Sequence, residues 1–377
     1  MASKQTERVL VVGAGIAGMS ATIALRRNGV AVDLIDIGTD WTVTGAGLTI
    51  TGPTLRAFRQ LGVYDEIVAQ GYAGEGIRVC GVDGEPLGDI PTPMPPEAGV
   101  RGSGGIARPV LYRILSSRVL AGGVRPRFGT AVERITHDGD GDGVDVTFSD
   151  GTTGRYGMVV GADGIYSRTR EQMFPGAPRP EYTGQSVWRM FVPRPPGVDR
   201  RHYFLGGEAK VGWTPVSATR MYLFVVERTP RVVRRPHELA GRLAGLLEPY
   251  GGHVRRFRAS IDGDTGIVFR PLESFDLPGP WHSGRVILIG DAAHPTTPQL
   301  ASGAGLAVED ALVLAEELDR QGSVAETFEA FAARREQRCR LAVESSIEIG
   351  RLEQRQAPPE AQTAVVERAL AELTEPV

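Results

Sequence analysis

The sequence predicts an α/β fold in which a parallel sheet is interrupted by a second, mainly antiparallel sheet and followed by helices. Two observations carry this prediction. Short apolar strands end in glycine-containing turns near residues 13, 161 and 290, as the strands of parallel nucleotide-binding sheets do. Between the last two turns, residues 181–267 alternate apolar and polar side chains, which is typical of antiparallel strands with one covered face.

The N-terminal segment predicts a βαβ unit, the building block of a parallel sheet. The apolar strand Val9–Val12 leads into a glycine turn, a helix over Met19–Asn28 and a second strand over Ala31–Ile37. Further elements are expected in a fixed order along the chain: helices over 54–61 and 110–120, a hairpin within 127–150, strands over 185–192, 202–205, 210–214, 221–226 and 285–289, and helices over 303–355 and 357–377.

Composition and charge exclude several classes of function. The 377 residues are 41% hydrophobic with a net charge of −3, which argues against a surface that neutralises nucleic-acid phosphates. The two cysteines, Cys80 and Cys339, are too few to staple such a chain and fit a reducing compartment. The polar start Met1–Arg8 and the lack of a long apolar run predict neither secretion nor membrane insertion, so we expect a cytoplasmic protein.

The first turn has the pattern Gly13-x-Gly15-x-x-Gly18. In such a turn the first glycine permits the tight bend, the second lets a pyrophosphate approach the backbone, and the third lets helix and strand pack closely. The helix that follows presents unpaired N–H groups to the phosphates. Asp36, about 20 residues further on, has the spacing of the acidic residue that binds ribose hydroxyls, and Asp33 is the alternative.

Two further strands end in aspartate. The apolar residues 158–160 lead into Gly161-Ala162-Asp163-Gly164, and a buried strand over 285–289 leads into Gly290-Asp291-Ala292-Ala293-His294. An aspartate at a strand end can accept hydrogen bonds from a polyol. Beyond it, Pro298 and Gly303-Ala304-Gly305 open a helix whose N-terminus can stabilise negative charge on a ring.

One acidic segment resembles a metal loop but departs from it. Residues 138–143 follow the order D-x-D-x-D-G of a calcium-binding loop, yet its twelfth position is Ser149 and not the bidentate glutamate that such a loop needs. We therefore expect a solvated hairpin turn and no metal site here.

Taken together, these motifs resemble those of the single-component FAD-dependent aromatic hydroxylases, flavoprotein monooxygenases of the p-hydroxybenzoate and salicylate hydroxylase type. Arg108-Pro109-Val110-Leu111 and Gly45-Ala46-Gly47-Leu48 match two further segments of that family, and the resemblance runs from about Arg8 to Arg320. It implies a Rossmann-like FAD-binding domain of the glutathione-reductase type with an inserted antiparallel sheet that forms the substrate pocket.

The resemblance also implies roles for individual residues. Gly13, Gly15 and Asp36 would hold the ADP half of FAD, Asp291 its ribityl chain, and Pro298 the flank of the isoalloxazine. The full set of implied cofactor residues is Gly13, Gly15, Ala17, Gly18, Asp36, Gly47, Arg108, Asp163, Gly164, Asp291, Pro298, Gly303, Ala304 and Gly305.

The reaction implied by the resemblance is a monooxygenation. NAD(P)H reduces FAD, O2 forms a flavin C4a-hydroperoxide, and one oxygen atom passes to a small aromatic or heteroaromatic substrate. The sequence has no second G-x-G-x-x-G, so NAD(P)H is expected as a transient reductant. The alternatives are an FAD-dependent reductase or dehydrogenase of the same superfamily and a non-catalytic flavin-binding protein.

Flavin-dependent halogenases share this domain, but the sequence argues against them. They need a lysine in the tunnel between flavin and substrate, and this chain has no lysine between Lys4 and Lys210. They also carry Trp-x-Trp-x-Ile-Pro, from which the segment Trp188–Pro193 departs at Met190 and Val192.

The substrate and catalytic candidates lie mainly in the inserted sheet. Alternation puts Gln185, Val187 and Arg189 on one face and Trp188 on the other. Arg189 would pair a substrate carboxylate or form a surface ion pair. Candidates for contact with an aromatic ring, each alternatively a core residue, are Trp188, Tyr203, Trp213 and Phe224. Pro298, beside the implied flavin ring, is a further substrate-binding candidate. Candidates for a base, each alternatively structural, are His202, Tyr203 and His294, the last as a residue that orders its turn.

The predicted domains are interleaved along the chain. Residues 1–75, 102–180 and 268–320 would form the FAD-binding domain, 76–101 and 181–267 the substrate sheet, and 321–377 a C-terminal helical region. Within that region, the basic stretch Arg334–Arg340 is interpreted as a solvated helix face. The expected partners are a small aromatic substrate and O2, with no nucleic acid or membrane, and the chain is expected to be a monomer or homodimer.

Overall fold

The structure, a computed structural model, describes residues 8–43, 45–95, 99–137 and 142–377. The strands follow in the order β1 (Arg8–Val12), β2 (Ala31–Ile35), β3 (Gly47–Thr51), β4 (Tyr72–Gly74), β5 (Ile77–Cys80), β6 (Pro86–Ile90), β7 (Ser103–Ala107), β8 (Val132–His137), β9 (Val144–Phe148), β10 (Thr153–Tyr156), β11 (Met158–Gly161), β12 (Glu181–Pro193), β13 (Arg201–Phe204), β14 (Lys210–Pro215), β15 (Arg220–Arg228), β16 (Val268–Ser274), β17 (His282–Ser283) and β18 (Val286–Leu288).

The helices are α1 (Ile16–Arg27), α2 (Gly52–Gln60), α3 (Tyr64–Gln70), α4 (Arg108–Ala121), α5 (Arg168–Met173), α6 (Pro236–Leu246), α7 (Gly252–Ala259), α8 (Gly303–Asp319), α9 (Val324–Gln354) and α10 (Pro359–Thr374). Short 3-10 turns lie at Gly290–Ala292 and Pro298–Leu300. No helix in the described part of the chain is both long and apolar enough to cross a membrane.

A five-stranded sheet forms the centre of the nucleotide-binding part. Its strand order is β17-β18-β11-β1-β2 among the described residues, and β1 is parallel to both β2 and β11. Four of the five residues of β1 are buried, because helices cover both faces of such a sheet. The predicted βαβ unit is confirmed, and all three motif turns follow strands of this sheet, β1, β11 and β18.

The inserted sheet is larger than the sequence indicates. Its order is β16-β12-β15-β14-β13-β5-β6 in the described chain, and neighbouring strands are antiparallel except for β13 and β5. Residues 77–90 therefore join the strands that follow residue 181, as expected from the sequence. The last strand, β16, extends to Ser274, so the sheet continues past the boundary predicted at residue 267.

Smaller sheets complete the domain. β3, β7 and β4 form a three-stranded antiparallel sheet, and β8, β9 and β10 form another. The predicted turn at residues 137–143 falls largely outside the described residues, which leave out 138–141.

The interpretation of Arg334–Arg340 as a solvated face is wrong for Arg335. The side chain of Arg335 is fully buried between α8 and α9, and its guanidinium donates to Glu309 and Asp310 at 2.8 Å each. Packing of α9 on α8 encloses these three charges, and periodicity alone does not show that a charged residue is buried with partners.

Candidate active site

Two adjoining cavities lie where the parallel sheet faces the inserted sheet. The larger has a volume of 520 Å³ and the smaller 410 Å³. They share the lining residues Gly15, Ala162, Gly164 and Tyr166, so they form one long cleft past the ends of β1 and β11.

The glycine turn after β1 brings backbone to the wall of this cleft. Gly13 has φ +104°, and a Cβ atom there would lie 2.4 Å from the carbonyl oxygen of Ala162. A Cβ at Gly18 would lie 1.8 Å from the carbonyl oxygen of Gly13, so α1 packs directly against the turn. Gly15, the N-cap of α1, lines both cavities, so the N-terminus of this helix faces the cleft.

Asp36 is the acidic residue of the smaller cavity. Its carboxylate accepts the N–H groups of Ala14 and Gly38, at 2.6 Å each, and the residue lines the cavity wall. The alternative, Asp33, instead pairs with Arg8 at 2.6 Å and accepts the hydroxyl of Tyr156. The backbone bonds explain why Asp36 has a fixed orientation at the end of β2.

Asp163 orders the second turn. Its carboxylate accepts from Ser167 Oγ at 2.5 Å and from the backbone N–H of Thr169 at 3.0 Å, at the start of α5. The buried Arg170 then donates to the carbonyl oxygens of Ile165 and Ala292, which ties the second motif turn to the third.

Asp291 faces the larger cavity without a hydrogen-bond partner among the described residues. Its side chain is exposed to that cavity. The surrounding protein removes water from this carboxylate and so raises the pKa of Asp291, and the nearby positive charges of His294 and Arg108 oppose the rise. An acceptor of this kind is suited to a hydroxyl-bearing ligand, because a hydroxyl would supply the donor that the protein does not.

One face of the inserted sheet forms the floor of the larger cavity. Val187 and Arg189 of β12, Tyr222 and Phe224 of β15, Tyr203 of β13 and Lys210 of β14 line it. Gly212 lies between two rings, since a Cβ there would meet Phe224 Cζ at 2.5 Å. The floor is therefore aromatic with a few polar groups, the composition typical of pockets for small organic molecules.

Polar contacts on this floor join distant parts of the chain. The hydroxyl of Thr49 lies 2.5 Å from the hydroxyl of Tyr222 and 2.8 Å from that of Thr214. Lys210 Nζ lies 2.6 Å from Glu353 Oε1, and Glu353 also accepts from Gln185 at 3.0 Å. The C-terminal helix α9 thus supports the cavity floor.

Comparison with known proteins identifies the family. The family model described as FAD binding domain matches residues 6–346. The chain belongs to this family. The 2-heptyl-3-hydroxy-4(1H)-quinolone synthase of Pseudomonas aeruginosa is 32% identical over 363 residues, which cover 93% of this chain and 90% of that relative. The 3-amino-4-hydroxybenzoate 2-monooxygenase of Streptomyces cremeus is 32% identical over 338 residues, which cover 87% of this chain and 83% of that relative.

A solved structure extends the similarity to the whole fold. The crystal structure of Klebsiella pneumoniae HpxO complexed with FAD and uric acid has a TM-score of 0.84 and 25% identity, over 98% of this chain and 93% of that chain. The predictions of a flavoprotein hydroxylase fold, an FAD cofactor and an FAD-dependent monooxygenase are confirmed by these matches.

The described residues fit FAD. The turn at Gly13 leaves no room for a side chain beside the backbone, and Asp291 offers an acceptor without a donor. Most of the residues that the sequence assigns to the cofactor line one of the two cavities: Gly13, Gly15, Ala17, Asp36, Gly47, Arg108, Asp163, Gly164, Asp291, Pro298, Gly303 and Ala304. Gly18 and Gly305 do not line them, and Gly305 packs where a Cβ would lie 2.2 Å from Thr54 Oγ1.

Two of the ring-contact candidates lie on the far face of the inserted sheet. Trp188 is fully buried, with its ring 4.5 Å from that of Phe269 and its Nε1 donating to Glu227. Trp213 packs 5.6 Å from Phe257 of α7. Strand alternation turns both away from the cavity, so they are core residues, whereas Arg189, Tyr203, Phe224 and Pro298 reach it.

Two of the three candidate bases do not line the cavity. The ring of His202 packs at a tilt against that of Trp213 on the far face, with centroids 5.0 Å apart, and burial lowers the pKa of His202. His294 is buried with Nε2 2.7 Å from Asp310 Oδ2. Tyr203 does line the cavity and accepts a hydrogen bond from Arg201.

Sequence reasoning missed several polar residues of the floor. Tyr222 stands two residues before Phe224 in a strand that the sequence predicts, so alternation places both on one face and could have found it. Thr49, which lines the cavity, and Glu353, which pairs with the cavity residue Lys210, carried no sequence signal, because their contacts span 173 and 143 residues.

Proposed function

We propose that the protein hydroxylates a small aromatic or heteroaromatic molecule with FAD, NAD(P)H and O2. The observation that supports this most directly is the larger cavity, in which Asp291 and the start of α8 face an aromatic sheet surface. The names of the quinolone synthase and of the aminohydroxybenzoate monooxygenase refer to ring compounds. One oxygen atom of O2 would enter the product and the other would leave as water, with NAD(P)H as the source of electrons.

The proposed FAD site follows the cleft. The N-terminus of α1 offers N–H groups and a favourable dipole to the pyrophosphate, and Asp36 offers its carboxylate to the ribose of the ADP half. Asp291 is placed to accept a ribityl hydroxyl, and Pro298 and the start of α8 would flank the ring system. When bound, FAD supplies the redox chemistry and the activation of oxygen.

The chain itself would bind and orient the substrate. Phe224 and Tyr203 offer aromatic surface, with their ring centroids 5.9 Å apart in an edge-to-face arrangement. The paired hydroxyls of Tyr222 and Thr49 would exchange hydrogen bonds with a ring hydroxyl and so orient the ring. The aromatic part of the floor would limit the access of water to the reacting oxygen and so limit its release as hydrogen peroxide.

The proposal is tested with the purified holoenzyme. Flavin absorbance should show FAD in near-stoichiometric amount. Oxidation of NADH and NADPH, consumption of O2 and the mass of products are then measured over phenols, salicylates, hydroxypyridines, purines and polycyclic compounds. A substrate should stimulate all three and gain one oxygen atom. Protein that binds no FAD contradicts the proposal, and stimulated NAD(P)H oxidation without an oxygenated product favours a reductase instead.

We also propose a cytoplasmic location and a monomeric or homodimeric state. Cys80 and Cys339 are both free and buried, which agrees with a reducing compartment. Fractionation of producing cells tests the location, and light scattering coupled to gel filtration tests the assembly. A trimer or larger oligomer would contradict the second statement.

A further inference from the structure

The larger cavity contains a cation that lacks a counter-ion. Arg189 lies on β12 and faces the cavity. Across the parts of the chain that the structure describes, no carboxylate pairs with its guanidinium and no carbonyl accepts from it. The charged side chain that acts on Arg189 is another cation, Arg108. Burial lowers the pKa of Arg189 and Arg108 lowers it further, while Tyr222 opposes them.

Lys210, on the same face of the sheet, shows the contrast. Its ammonium pairs with Glu353 at 2.6 Å, and this attraction outweighs burial, so the pKa of Lys210 is raised. The protein thus gives Lys210 a counter-charge and leaves Arg189 without one. Arg189 is half-buried, so its guanidinium has lost part of its water and gained no opposite charge in return, which is unfavourable.

The neighbours of Arg189 indicate what shape of anion fits. Phe224 is its direct cross-strand partner on β15, and Gly212 is the partner of Phe224 on β14. Directly opposite side chains lie about 5 Å apart. The rings of Phe224 and Tyr203 lie over Gly212, where a Cβ would meet Phe224 Cζ at 2.5 Å. A substrate ring that packs on Phe224 therefore brings a ring substituent within reach of the Arg189 fork.

We propose that Arg189 is the anion-binding residue of the substrate site, and that the enzyme selects aromatic molecules carrying a carboxylate or an ionised hydroxyl over neutral analogues. Lys210 does not share this role, since Glu353 already satisfies its charge. The inference rests on the proposed aromatic hydroxylation, which supplies the ring, but the anion site itself can be tested without turnover.

The first test is the thermal stability of the FAD-loaded enzyme without substrate. Arg189→Met removes an unpaired charge and should raise the melting temperature by about 2 °C or more. Lys210→Met is the matched control on the same sheet face. It leaves Glu353 unpaired and should lower the melting temperature. Arg189→Gln serves as a second variant if the methionine protein does not fold. A loss of stability in both Arg189 variants would mean that Arg189 has a structural partner, and overturns the proposal.

The second test uses benzoate as the probe and benzamide as its neutral counterpart. At about 10 mM, benzoate should raise the melting temperature of the wild type and perturb its flavin absorbance, while benzamide should do neither. Both effects of benzoate should be lost in Arg189→Met and kept in Arg228→Gln, which removes an exposed arginine outside the cavity. Equal shifts in wild type and Arg189→Met, zero included, overturn the proposal.

The tests separate this inference from the proposed function. They also separate binding of a substrate anion from binding of the negative charge on reduced FAD. If the guanidinium serves reduced FAD and not the substrate, Arg189→Met shifts the flavin midpoint potential and leaves the benzoate response unchanged, which overturns the inference. If no hydroxylated product is found but the benzoate response depends on Arg189, the anion site stands and the proposed hydroxylation fails.

Discussion

The Nε2 atom of His294 lies 2.7 Å from Oδ2 of Asp310, in a buried cluster beneath the turn that presents Asp291 to the cavity. Asp310 also accepts the backbone N–H of Gly290 at 2.8 Å, and its other oxygen accepts from Arg335 at 2.8 Å. Asp310 therefore joins the motif turn to helices α8 and α9. His294 contributes to the order of this turn, and the cluster holds the residues around Asp291 in place.

The same cluster has the side-chain types of a metal site but already contains a cation. His294, Asp310 and Cys339 place possible ligand atoms within 4.8 Å of one another. The guanidinium of Arg335 donates to Asp310 and lies 3.4 Å from the sulfur of Cys339. Because this fixed positive charge balances the carboxylate, the cluster is an internal ion pair and offers a metal ion little attraction.

Removal of the central cation should destabilise the fold. Arg335→Met leaves Asp310 buried beside His294 with part of its charge uncompensated, so the free energy of unfolding should fall by about 3–5 kcal/mol. Urea titration followed by fluorescence measures it. The control is Arg368→Met, which breaks an exposed pair with Glu348 and should cost no more than about 1 kcal/mol. If the free energy of unfolding falls by similar amounts in the two variants, the buried cluster adds little to the stability of the fold.

The ion pair also predicts how stability depends on pH. Burial lowers the pKa of His294, but Cys339 and Asp310 outweigh it, so this pKa is well above its usual 6.5. The stability that His294 contributes is complete below about pH 6.5 and is lost as the pH rises through its higher folded-state pKa. The pKa of Asp310 is lowered, because His294 and Arg335 outweigh its burial, so its contribution is lost only in acid.

A comparison of the wild type with His294→Gln at pH 6 and pH 9 measures this effect. We expect the free energy of unfolding of the wild type to fall more steeply between these values than that of the variant, since all other titrating groups are shared. Parallel pH profiles would indicate that His294 is uncharged in the folded protein.

Residues at strand ends were predictable from the sequence because local chemistry places them. Asp36 and Asp291 each follow a buried strand, and both line a cavity of the cleft. For Trp188 and Trp213 the sequence left two interpretations open, contact with the substrate ring or core packing, for a different reason. Alternation assigns a residue to a face, but both faces of the inserted sheet are covered, one by the cavity and the other by the core that includes α6 and α7. Which face meets which neighbour is decided by tertiary packing.

Charges within helices show the same limit. A run of arginines predicts an exposed face unless partners are known, and the partners of Arg335 lie 25 and 26 residues earlier on α8. Likewise, Glu353 supports Lys210 from 143 residues away. Neither pairing follows from spacing, since no local rule specifies which side of α9 meets α8 and which meets the inserted sheet.

Asp291 gives a prediction for cofactor affinity. Asp291→Ala removes the acceptor proposed for a ribityl hydroxyl, and a hydrogen bond to a charged group contributes about 1.5–3 kcal/mol, so FAD should bind about 10–100 times more weakly. Titration of apo-protein with FAD, followed by quenching of flavin fluorescence, measures the dissociation constant. Asp276→Ala, which changes an exposed carboxylate that does not line either cavity, should leave the constant unchanged. An unaltered affinity in Asp291→Ala would remove the proposed role.

Tyr222 gives a prediction for coupling between reductant use and product. Tyr222→Phe keeps the ring but removes the hydroxyl that lies 2.5 Å from Thr49, so a substrate hydroxyl loses a hydrogen-bond partner that orients it. Loss of one such hydrogen bond, about 0.5–1.5 kcal/mol, should lower the rate of hydroxylation about 2- to 10-fold, and FAD content should not change. The measurement is the ratio of hydroxylated product to NAD(P)H consumed, which should fall while H2O2 rises.

Tyr64→Phe, at the start of α3 and outside both cavities, is the control. If the ratio in Tyr222→Phe equals that in the control, the hydroxyl of Tyr222 does not orient the substrate, and its bond to Thr49 serves only to join β15 to β3.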